Sequence, residues 1–381
     1  MDFTFCTAGK VIFGQGQLSK IGSEVAVFGS RVLLVTGRGS LKKAGRLEQI
    51  RKCLREQSLY VAVFDEVPPE PSLEVVQAGI DECCKHSCEV VLAIGGGSAL
   101  DVGKTIAALI TAPGTVHEYF HGRELERKGL PFIAVPTTAG TGSEVTSNAV
   151  LIDKQHMVKA SIRSPYMYPD VAIVDSELTL TLPPDVTANS GMDALCQAME
   201  ALVSRGANPL TDALAENASD RLIRNLLLVY KDGSNLGLRT EVALGSLMGG
   251  MAFANARLGL VHGLAHPLGI VTGLPHGLIC ALLLPDVVEF NTPVSSSKYA
   301  RLARNSGISD SSVSDEKAVS SLIKALKRMN EEMSIEKRRH EIKAPKESWP
   351  MIISQTLASG SAKSNPRSVT ESDIEHILSN L

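Results

Sequence analysis

Short apolar runs alternate with helix-length segments through the first half of the chain. Five runs that are rich in β-branched residues and bounded by Gly, Pro or Asp predict buried strands over residues 31–36, 60–64, 89–94, 131–135 and 171–175. The segments between them predict helices over residues 42–57, 73–85 and 98–111. This alternation indicates a doubly wound, Rossmann-like α/β domain, in which helices cover both faces of a mainly parallel sheet.

The pattern changes near the middle of the chain. A Leu-Pro-Pro sequence at residues 182–184 interrupts it, and beyond that point the apolar residues recur at helical spacing. We therefore expect two domains, an α/β domain over residues 1–180 and an all-α domain over residues 181–381. Two serine-rich stretches in the second domain, residues 295–314 and 358–368, are expected to form loops or connections between helices.

The charge balance argues against two classes of partner. The 381 residues carry a formal net charge of -3, so no overall positive field favours nucleic acid or an anionic membrane surface. No apolar run reaches the ~18 residues that are needed to span a bilayer. We expect neither nucleic acid nor a membrane as a partner, and a small-molecule ligand instead.

The seven cysteines form no regular framework, and their number is odd. Since no secretory segment is recognisable at the amino end, they are typical of reduced thiols in the cytoplasm. Three of them fall in the segment 83–88, which also contains a histidine. This segment lacks a second pair of ligands at zinc-site spacing, so we expect structural cysteines there and not a metal site.

A glycine turn follows the strand predicted over residues 89–94. Gly95, Gly96, Gly97 and Ser98 stand where that strand ends and a helix begins. Backbone amides in such a turn approach an anion closely, and the helix start adds the positive end of its dipole, which suits a pyrophosphate. A glycine turn that only links the two elements is the alternative. The P-loop motif and the Rossmann glycine motif both fail to match, which disfavours an NTPase or kinase.

A second polar turn, PTTAGTGSEVT at residues 136–146, follows the next predicted strand. Small hydroxyl side chains and glycines at the carboxyl end of a strand lie where ligands bind in open α/β sheets. Ordinary turn chemistry explains only a few of them. No G-x-S-x-G elbow surrounds Ser143, so the turn does not indicate a hydrolase nucleophile.

Side chains that could hold a metal occur together in the second half of the chain. Asp193 and Gln197 are one helical turn apart, and His262, His266 and His276 fall within fifteen residues. A single histidine in such apolar surroundings is more often a hydrogen-bonded core residue. Three histidines with a carboxylate indicate a divalent cation that polarises a substrate oxygen, and one histidine is left to move a proton.

These elements, in this order, resemble the iron-containing, metal-dependent (group III) alcohol dehydrogenase family. The resemblance covers nearly the whole chain and is carried by GGGS at 95–98, PTTAGTGSEVT at 136–146, GMDAL at 191–195, HGLAHPLG at 262–269, PHG at 275–277 and NPR at 365–367. It implies a nucleotide-binding α/β domain followed by a helical domain, which is the dehydroquinate synthase-like fold. It also implies a substrate site in the cleft between the domains, and a homodimer.

The resemblance assigns a set of residues to the nicotinamide cofactor. These residues are Gly37, Gly96, Gly97, Ser98, Asp101, Thr137, Thr138, Thr141, Asn148 and Lys159. Gly97 and Ser98 would hold the pyrophosphate, the three threonines would line the cofactor groove, and Lys159 would reach the ribose or phosphate region.

For the metal, the resemblance implies Asp193, His262 and His276 as ligands, while His266 corresponds to the catalytic histidine beside the nicotinamide and the substrate. The sequence departs from the family at Gln197, where members typically carry a histidine. An amide oxygen is a weaker, neutral donor than an imidazole nitrogen. The metal, Fe²⁺ or Zn²⁺, is therefore expected to have three good ligands and Gln197 as a poor fourth.

The segment after the strand at residues 31–36 bears on the choice between NAD and NADP. Family members that favour NAD often carry an acidic residue here, and its charge repels a 2′-phosphate. In this chain Gly37 removes that repulsion, and Arg38, Lys42 and Lys43 supply positive charge. We therefore expect NADP over NAD; the alternative is that the basic residues only form a solvated helix start.

The expected function is an NAD(P)-dependent, metal-assisted oxidoreductase that interconverts a small alcohol and its aldehyde or ketone by hydride transfer in the cytoplasm. The alternatives with the same fold are a polyol dehydrogenase, a maleylacetate-type reductase and a dehydroquinate-synthase-like lyase. The threonine-rich turn at 136–146 and the GMDAL segment resemble the alcohol dehydrogenase branch more than these. An alternative from another class is a nucleotide-binding protein without catalysis, to which the departure at Gln197 would point.

Overall fold

The structure is a computed structural model that describes residues 2–39, 41 and 45–381. The chain divides into two compact units. An α/β unit comprises Cys6–Thr181, and a helical unit comprises Leu182–Leu381 with the amino-terminal residues through Phe5.

The described part of the α/β unit contains eight strands: β1 (Lys10–Gly14), β2 (Arg31–Gly37), β3 (Tyr60–Val67), β4 (Val90–Gly95), β5 (Phe132–Pro136), β6 (Asn148–Asp153), β7 (Val158–Arg163) and β8 (Val171–Asp175). Six of them form a sheet in the order β1-β8-β5-β4-β2-β3, and every neighbouring pair is parallel. The other two, β6 and β7, form an antiparallel hairpin. All the parallel strands end at one edge of the sheet, which gathers the loops that follow them.

Both faces of the sheet are buried. Leu33 and Val35 of β2 lie in one apolar cluster, and Val32 and Leu34 lie in another. The helices that cover the faces are α1 (Ile21–Ala26), α2 (Arg46–Arg55), α3 (Leu73–Lys85), α4 (Gly97–Leu109) and α5 (Val116–Phe120). Because successive side chains of a strand point to opposite faces, this division confirms the predicted doubly wound α/β plan.

The five predicted strands are present within one or two residues at most ends, and β3 continues further, to Val67. The predicted helix over 42–57 is described from Arg46 to Arg55, and residues 42–44 lie outside the described residues. The strand β1 and the hairpin were not predicted. The first is a half-exposed edge strand, and β6 alternates buried and half-buried positions, so neither contains the continuous apolar run that was used to find strands.

The described residues of the helical unit form the helices α6 (Pro184–Val203), α7 (Pro209–Lys231), α8 (Leu236–Ala256), α9 (Leu260–Thr272), α10 (His276–Asn305), α11 (Asp315–Glu332), α12 (Trp349–Ala358), α13 (Gly360–Ser364) and α14 (Glu371–Ser379). Among these described residues there is no strand. The prediction of an all-α second domain is therefore confirmed.

The prediction that residues 295–314 form a loop or connection is wrong for its first half. The helix α10 continues to Asn305, and Ser295, Tyr299 and Leu302 lie buried along one of its faces. This helix is long and apolar enough to span a bilayer, but 61% of its most apolar window is buried inside the protein, which is typical of a core helix. The second serine-rich stretch does connect helices, and it contains the short α13.

Candidate active site

The two loops predicted to bind the cofactor lie against each other at the carboxyl edge of the sheet. The strands β4 and β5 pair through Gly95 and Pro136, and the backbone N–H of Thr137 donates to the carbonyl of Gly95 (2.9 Å). A Cβ atom placed on Gly97 would lie 2.6 Å from the Cγ2 atom of Thr141. Position 97 therefore requires glycine, since any side chain would push the two loops apart.

The remaining members of this predicted set lie nearby. Gly96 precedes α4 as its N-cap, with Thr138 next to it, and Ser98 lies in the first turn of the helix. Free N–H groups at a helix start and threonine hydroxyls are donors suited to a phosphate. The structure thus brings Gly96, Gly97, Ser98, Thr138 and Thr141 together, and their role in cofactor binding stays a prediction.

Asp101 is placed differently from the other predicted cofactor residues. It is buried, its Oδ1 accepts from the hydroxyl of Ser143 (2.6 Å), and its Oδ2 accepts from the backbone N–H of Val150 (2.8 Å). Burial raises the pKa of Asp101, although the nearby ammonium of Lys104 opposes that shift. Asp101 therefore fixes the turn after β5 to the hairpin, and this geometry favours a positioning role over direct contact with a cofactor.

Lys104 completes this buried network. Its ammonium donates to the Ser143 carbonyl (2.7 Å), the Thr146 hydroxyl (3.1 Å) and the Asn148 carbonyl (2.8 Å). Burial lowers the pKa of Lys104 to about 8. The lysine in the helix after the glycine turn thus holds the neighbouring loop, and it does not serve as the phosphate-binding lysine of a P-loop.

The hairpin carries two further predicted cofactor residues. Asn148 begins β6, and its Oδ1 is a buried oxygen without a hydrogen-bond partner among the described residues. Lys159 lies in β7, where its largely buried ammonium forms an ion pair with Glu70 in the loop after β3. A buried acceptor without a donor is costly, so Asn148 is suited to receive a hydrogen bond from a ligand.

Gly37 ends β2, and the next residue, Arg38, carries one of the positive charges that led us to expect NADP. Arg38 donates from Nε to the carbonyl of Glu66 (3.1 Å), which places its guanidinium beside the end of β3. Lys42 and Lys43 lie outside the described residues.

Three helices supply the predicted metal ligands. The helix α6 carries Asp193 and Gln197, α9 carries His262, and α10 begins at His276. A Cβ atom on Gly277 would lie 2.2 Å from the carbonyl oxygen of Asn189. Glycine at 277 therefore lets the start of α10 approach the backbone of α6, which brings His276 towards Asp193.

The donor atoms converge on a small space. Oδ1 of Asp193 lies 3.3 Å from Nε2 of His262 and 3.8 Å from Nε2 of His276. The Sγ atom of Cys280, one turn into α10, lies 3.6 Å from Nε2 of His276 and 4.0 Å from Nε2 of His262. These four donor atoms all lie within 4.8 Å of one another.

Such spacings are those of ligands around one ion. Two oxygen or nitrogen donors about 2.1 Å from a tetrahedral ion lie about 3.4 Å apart, and a thiolate sulfur lies about 3.6 Å from an imidazole nitrogen. Although Oδ1 of Asp193 is 3.3 Å from His262, the contact does not have hydrogen-bond geometry, and this buried oxygen has no hydrogen-bond partner in the described chain. Both atoms instead face a common centre, so the donor set fits a divalent cation.

Gln197 lies beside this set. Its Nε2 donates to Oδ2 of Asp193 (3.0 Å), and its Oε1 is buried without a hydrogen-bond partner among the described residues. The structure thus brings Gln197 next to the other predicted ligands and gives it a clear contact, which orients the carboxylate of Asp193. Whether its oxygen also binds the metal stays a prediction.

Glu200, one turn beyond Gln197 on α6, orients His262. Oε2 of Glu200 lies 2.6 Å from Nδ1 of His262, and Oε1 accepts from the backbone N–H of Val261 (2.7 Å). A carboxylate at Nδ1 places the proton of the ring there and leaves Nε2 as a lone-pair donor, which is the arrangement of metal-bound histidines. Cys196 is also close, with its Sγ 4.0 Å from Nδ1 of His262.

The electrostatics of this site favour a positive charge. Burial opposes the charged form of His262, but the negative charges of Cys280 and Glu200 and the contact with Asp193 outweigh it and raise its pKa well above the usual value. Burial also opposes the thiolate of Cys280, but the hydrogen bond from Cys196 and the attraction of His262 lower its pKa. The negative groups that favour a proton on His262 would favour a divalent cation in the same place, and the thiolate of Cys280 is the form that binds a metal.

His266 lies on α9 one turn after His262. Its ring centroid is 5.4 Å from that of His276, with 40° between the two planes. The structure thus places the predicted proton carrier beside the ligand cluster without placing it in the group of converging donors.

Sequence reasoning missed Cys280, Glu200 and Cys196. Cys280 follows His276 by four residues and Glu200 precedes the end of α6 on the same face as Asp193 and Gln197. Helical spacing from the predicted ligands was the signal that could have found them, since residues at i+3, i+4 and i+7 share a face.

Comparisons with known proteins agree with this picture. Residues 8–176 match the model of the iron-containing alcohol dehydrogenase family, and residues 187–381 match that of the family's C-terminal domain. The 1,3-propanediol dehydrogenase of Citrobacter freundii is 37% identical over 378 residues, which are 99% of this chain and 98% of that protein. The NAD-dependent methanol dehydrogenase of Bacillus methanolicus is 33% identical over 369 residues, which are 97% of each.

A solved structure is similar as well. The crystal structure of a 1,3-propanediol oxidoreductase is 36% identical, covers 100% of both chains and superposes with a TM-score of 0.95. The resemblance inferred from the motifs is confirmed. The chain therefore belongs to the iron-containing alcohol dehydrogenase family and is an NAD(P)-dependent oxidoreductase that interconverts an alcohol and its aldehyde or ketone.

Proposed function

We propose that the helical unit binds one divalent metal through Asp193, His262, His276 and Cys280, and that the α/β unit binds NADP(H) through the two loops that follow β4 and β5. The observation that carries the metal proposal is the buried Oδ1 of Asp193, which faces donor atoms of the other three residues without a hydrogen bond. An apolar interior does not tolerate such an oxygen without a positive partner.

The metal would supply Lewis-acid polarisation of the substrate oxygen. The residues of the chain then have separate tasks. Asp193 neutralises part of the charge of the cation, and Glu200 holds His262 so that Nε2 faces the site. His266 accepts the hydroxyl proton when an alcohol is oxidised and returns it when a carbonyl is reduced, because its ring lies next to that of His276.

The donor set bears on the identity of the metal. A thiolate is a soft ligand that favours Zn²⁺ over ions that prefer oxygen, and a set of one carboxylate, two imidazoles and one thiolate suits tetrahedral Zn²⁺. We therefore propose Zn²⁺ as a better match than Fe²⁺ for this chain.

The proposal of NADP over NAD depends on Gly37 and Arg38. No carboxylate follows β2 directly, so a 2′-phosphate would meet no repulsion from that position. The guanidinium of Arg38, held by the Glu66 carbonyl, provides a cation at the same strand end. Short primary alcohols and diols with their aldehydes are the proposed substrates, and a homodimer in the cytoplasm is the proposed form.

The roles of His266 and Asp193 can be tested by turnover. NADPH and NADH oxidation is measured with short aldehydes for the wild type, His266→Gln, Asp193→Asn and the matched surface variant His340→Gln. We expect Asp193→Asn to lose bound metal and activity together, and His266→Gln to keep its metal while kcat falls. Normal kcat in His266→Gln would contradict the proton-transfer role. Absence of turnover by the wild type with a broad panel of alcohols and aldehydes would favour a nucleotide-binding protein without catalysis.

A further inference from the structure

A second cluster of metal-ligating side chains lies in the α/β unit. His117 and His121 are four residues apart at α5, Asp153 ends β6, and His156 lies in the turn before β7. Their donor atoms, three imidazole nitrogens and one carboxylate oxygen, all lie within 4.8 Å of one another. None of these residues belongs to the predicted cofactor set or to the ligand set of the helical unit.

The three imidazoles converge on a single oxygen. Oδ2 of Asp153 lies 2.7 Å from Nδ1 of His156, 2.9 Å from Nε2 of His121 and 3.4 Å from Nε2 of His117. A carboxylate oxygen offers about two lone pairs, so three imidazole N–H groups cannot all be well accommodated. A cation in their midst would let each neutral imidazole turn its lone pair inward and would satisfy Oδ2 at the same time.

The cluster is anchored on its protein side and open on the other. The side chain of Asp153 is 3% exposed, and its Oδ1 accepts from the backbone N–H groups of Gln155 (2.9 Å) and His156 (3.2 Å). The three histidine side chains are 41–50% exposed. A buried carboxylate with partly exposed imidazoles lets an ion enter from solvent without opening the fold.

The closeness of the three imidazole rings is a second reason to infer a bound cation. The centroids of His117 and His121 are 4.2 Å apart, and that of His156 lies 5.7 Å from the first and 5.5 Å from the second. The three rings thus lie close enough together for one nitrogen of each to bind the same ion.

We propose that His117, His121, Asp153 and His156 form a second metal site, which binds a divalent transition-metal ion of the Zn²⁺, Co²⁺ or Ni²⁺ class. Imidazole nitrogen with one carboxylate oxygen is a donor set that suits these ions and not Mg²⁺ or Ca²⁺, which prefer oxygen ligands. The bound ion ties α5 to the turn of the β6–β7 hairpin. It thereby stiffens the hairpin that carries Asn148 and Lys159.

The experiment counts zinc on a protein whose other site has been removed. The background variant is Asp193→Asn with His262→Ala, because His262 belongs to both groups of possible metal ligands in the helical unit. It is stripped with chelator, titrated with Zn²⁺ by calorimetry and checked by elemental analysis after dialysis. We expect one zinc per chain in this background. Adding His121→Ala and His156→Ala should abolish it, whereas adding His340→Ala, a surface histidine outside the cluster, should leave it unchanged.

A single substitution and the spectrum of bound Co²⁺ test the site independently, in case the multiple variant misfolds. His117→Ala in the same background is expected to weaken zinc binding by at least about tenfold, since even loss of a group that only supports a ligand costs 10–100-fold. Co²⁺ bound at this site should show no sulfur-to-metal charge-transfer band, because no cysteine belongs to the cluster. Zinc that is absent from the background variant, that is lost on dialysis, or that persists after removal of His121 and His156 would overturn the proposal. None of these outcomes depends on whether the helical unit binds metal.

Discussion

Replacing Cys280 with serine tests whether its sulfur is a ligand of the metal in the helical unit. The sulfur lies 3.6 Å and 4.0 Å from the Nε2 atoms of His276 and His262, against about 3.6 Å for a thiolate and an imidazole on one tetrahedral ion. Serine keeps the size of the side chain but provides a poor, protonated donor. The matched control is Cys196→Ser, because Cys196 is equally buried but lies on the Nδ1 side of His262.

The magnitude follows from the loss of one ligand out of four. Removing a group that only orients a ligand weakens metal binding by about 10–100-fold, so removing Cys280 is expected to weaken Zn²⁺ binding by about 100-fold, or about 2.8 kcal/mol. Cys196→Ser should change the affinity by less than about tenfold.

The assay is the absorption spectrum of the cobalt-substituted protein together with a competition titration for Zn²⁺. Wild type and Cys196→Ser should show a sulfur-to-cobalt charge-transfer band in the near ultraviolet, and Cys280→Ser should lack it. A wild-type protein that binds one cobalt ion in the helical unit without this band would refute the reasoning. So would a band that persists in Cys280→Ser.

Four further outcomes follow from the geometry. Glu200→Gln should weaken metal binding by about 10–100-fold with the fold unchanged, measured by Zn²⁺ competition and circular dichroism, because it loses the charge that orients His262. Gly97→Ala should raise the KM for NAD(P)H at least about tenfold. Adding Thr141→Ser removes the Cγ2 methyl that the new Cβ meets, so the double variant should recover part of the lost affinity for the cofactor. A double variant with the same KM as Gly97→Ala would argue against the steric explanation. Arg38→Ala should raise the KM for NADPH more than that for NADH, and equal effects would remove the argument for NADP. Burial raises the pKa of Glu144 from 4.5 to about 7, so this group makes the folded state less stable as the pH rises from about 4.5 to 7. Thermal melts of Glu144→Gln should therefore show a stability advantage over the wild type that widens by roughly 2–3 kcal/mol between pH 5 and pH 8. An advantage that is the same at both pH values would contradict this.

The parts of the fold that could be predicted from sequence are those in which burial is continuous. The strand β4 is buried at all six positions, so its apolar run stands out from its surroundings. The hairpin of β6 and β7 lacks this signal because its two strands are half-buried and depend on tertiary contacts, such as the hydrogen bonds of Lys104. The carboxyl half of α10 was misjudged because its serines suggested a loop, while the buried positions Tyr299 and Leu302 keep the helical period.

The candidate sites also contain residues that leave a local signal in the sequence and residues whose partners are determined by the fold. The glycine turn before α4 could be predicted because the close approach of the Thr141 side chain to Gly97 favours glycine, which leaves a local signal in the sequence. For Cys280 the only signal in the sequence is its helical spacing from His276, since a cysteine in an apolar helix is ordinary and its closeness to His262 follows only from the fold. For Asp101, which the resemblance assigns to the cofactor, the structure shows a carboxylate that accepts from Ser143 and from the backbone N–H of Val150, and a contact with the cofactor stays a prediction.

The central claim is that this enzyme requires a metal in the helical unit, which polarises the substrate oxygen for hydride transfer. The measurement that tests it most directly is NAD(P)H-dependent aldehyde reduction by protein that has been stripped with chelator and then given Zn²⁺ or Fe²⁺ in increasing amounts. Asp193→Asn is measured in parallel. The account predicts that the rate rises as metal is added, reaches a plateau at full occupancy of the Asp193 site, and is absent in Asp193→Asn at every metal concentration. Full turnover by the stripped wild type, or restoration of Asp193→Asn by metal to the wild-type rate, would contradict it.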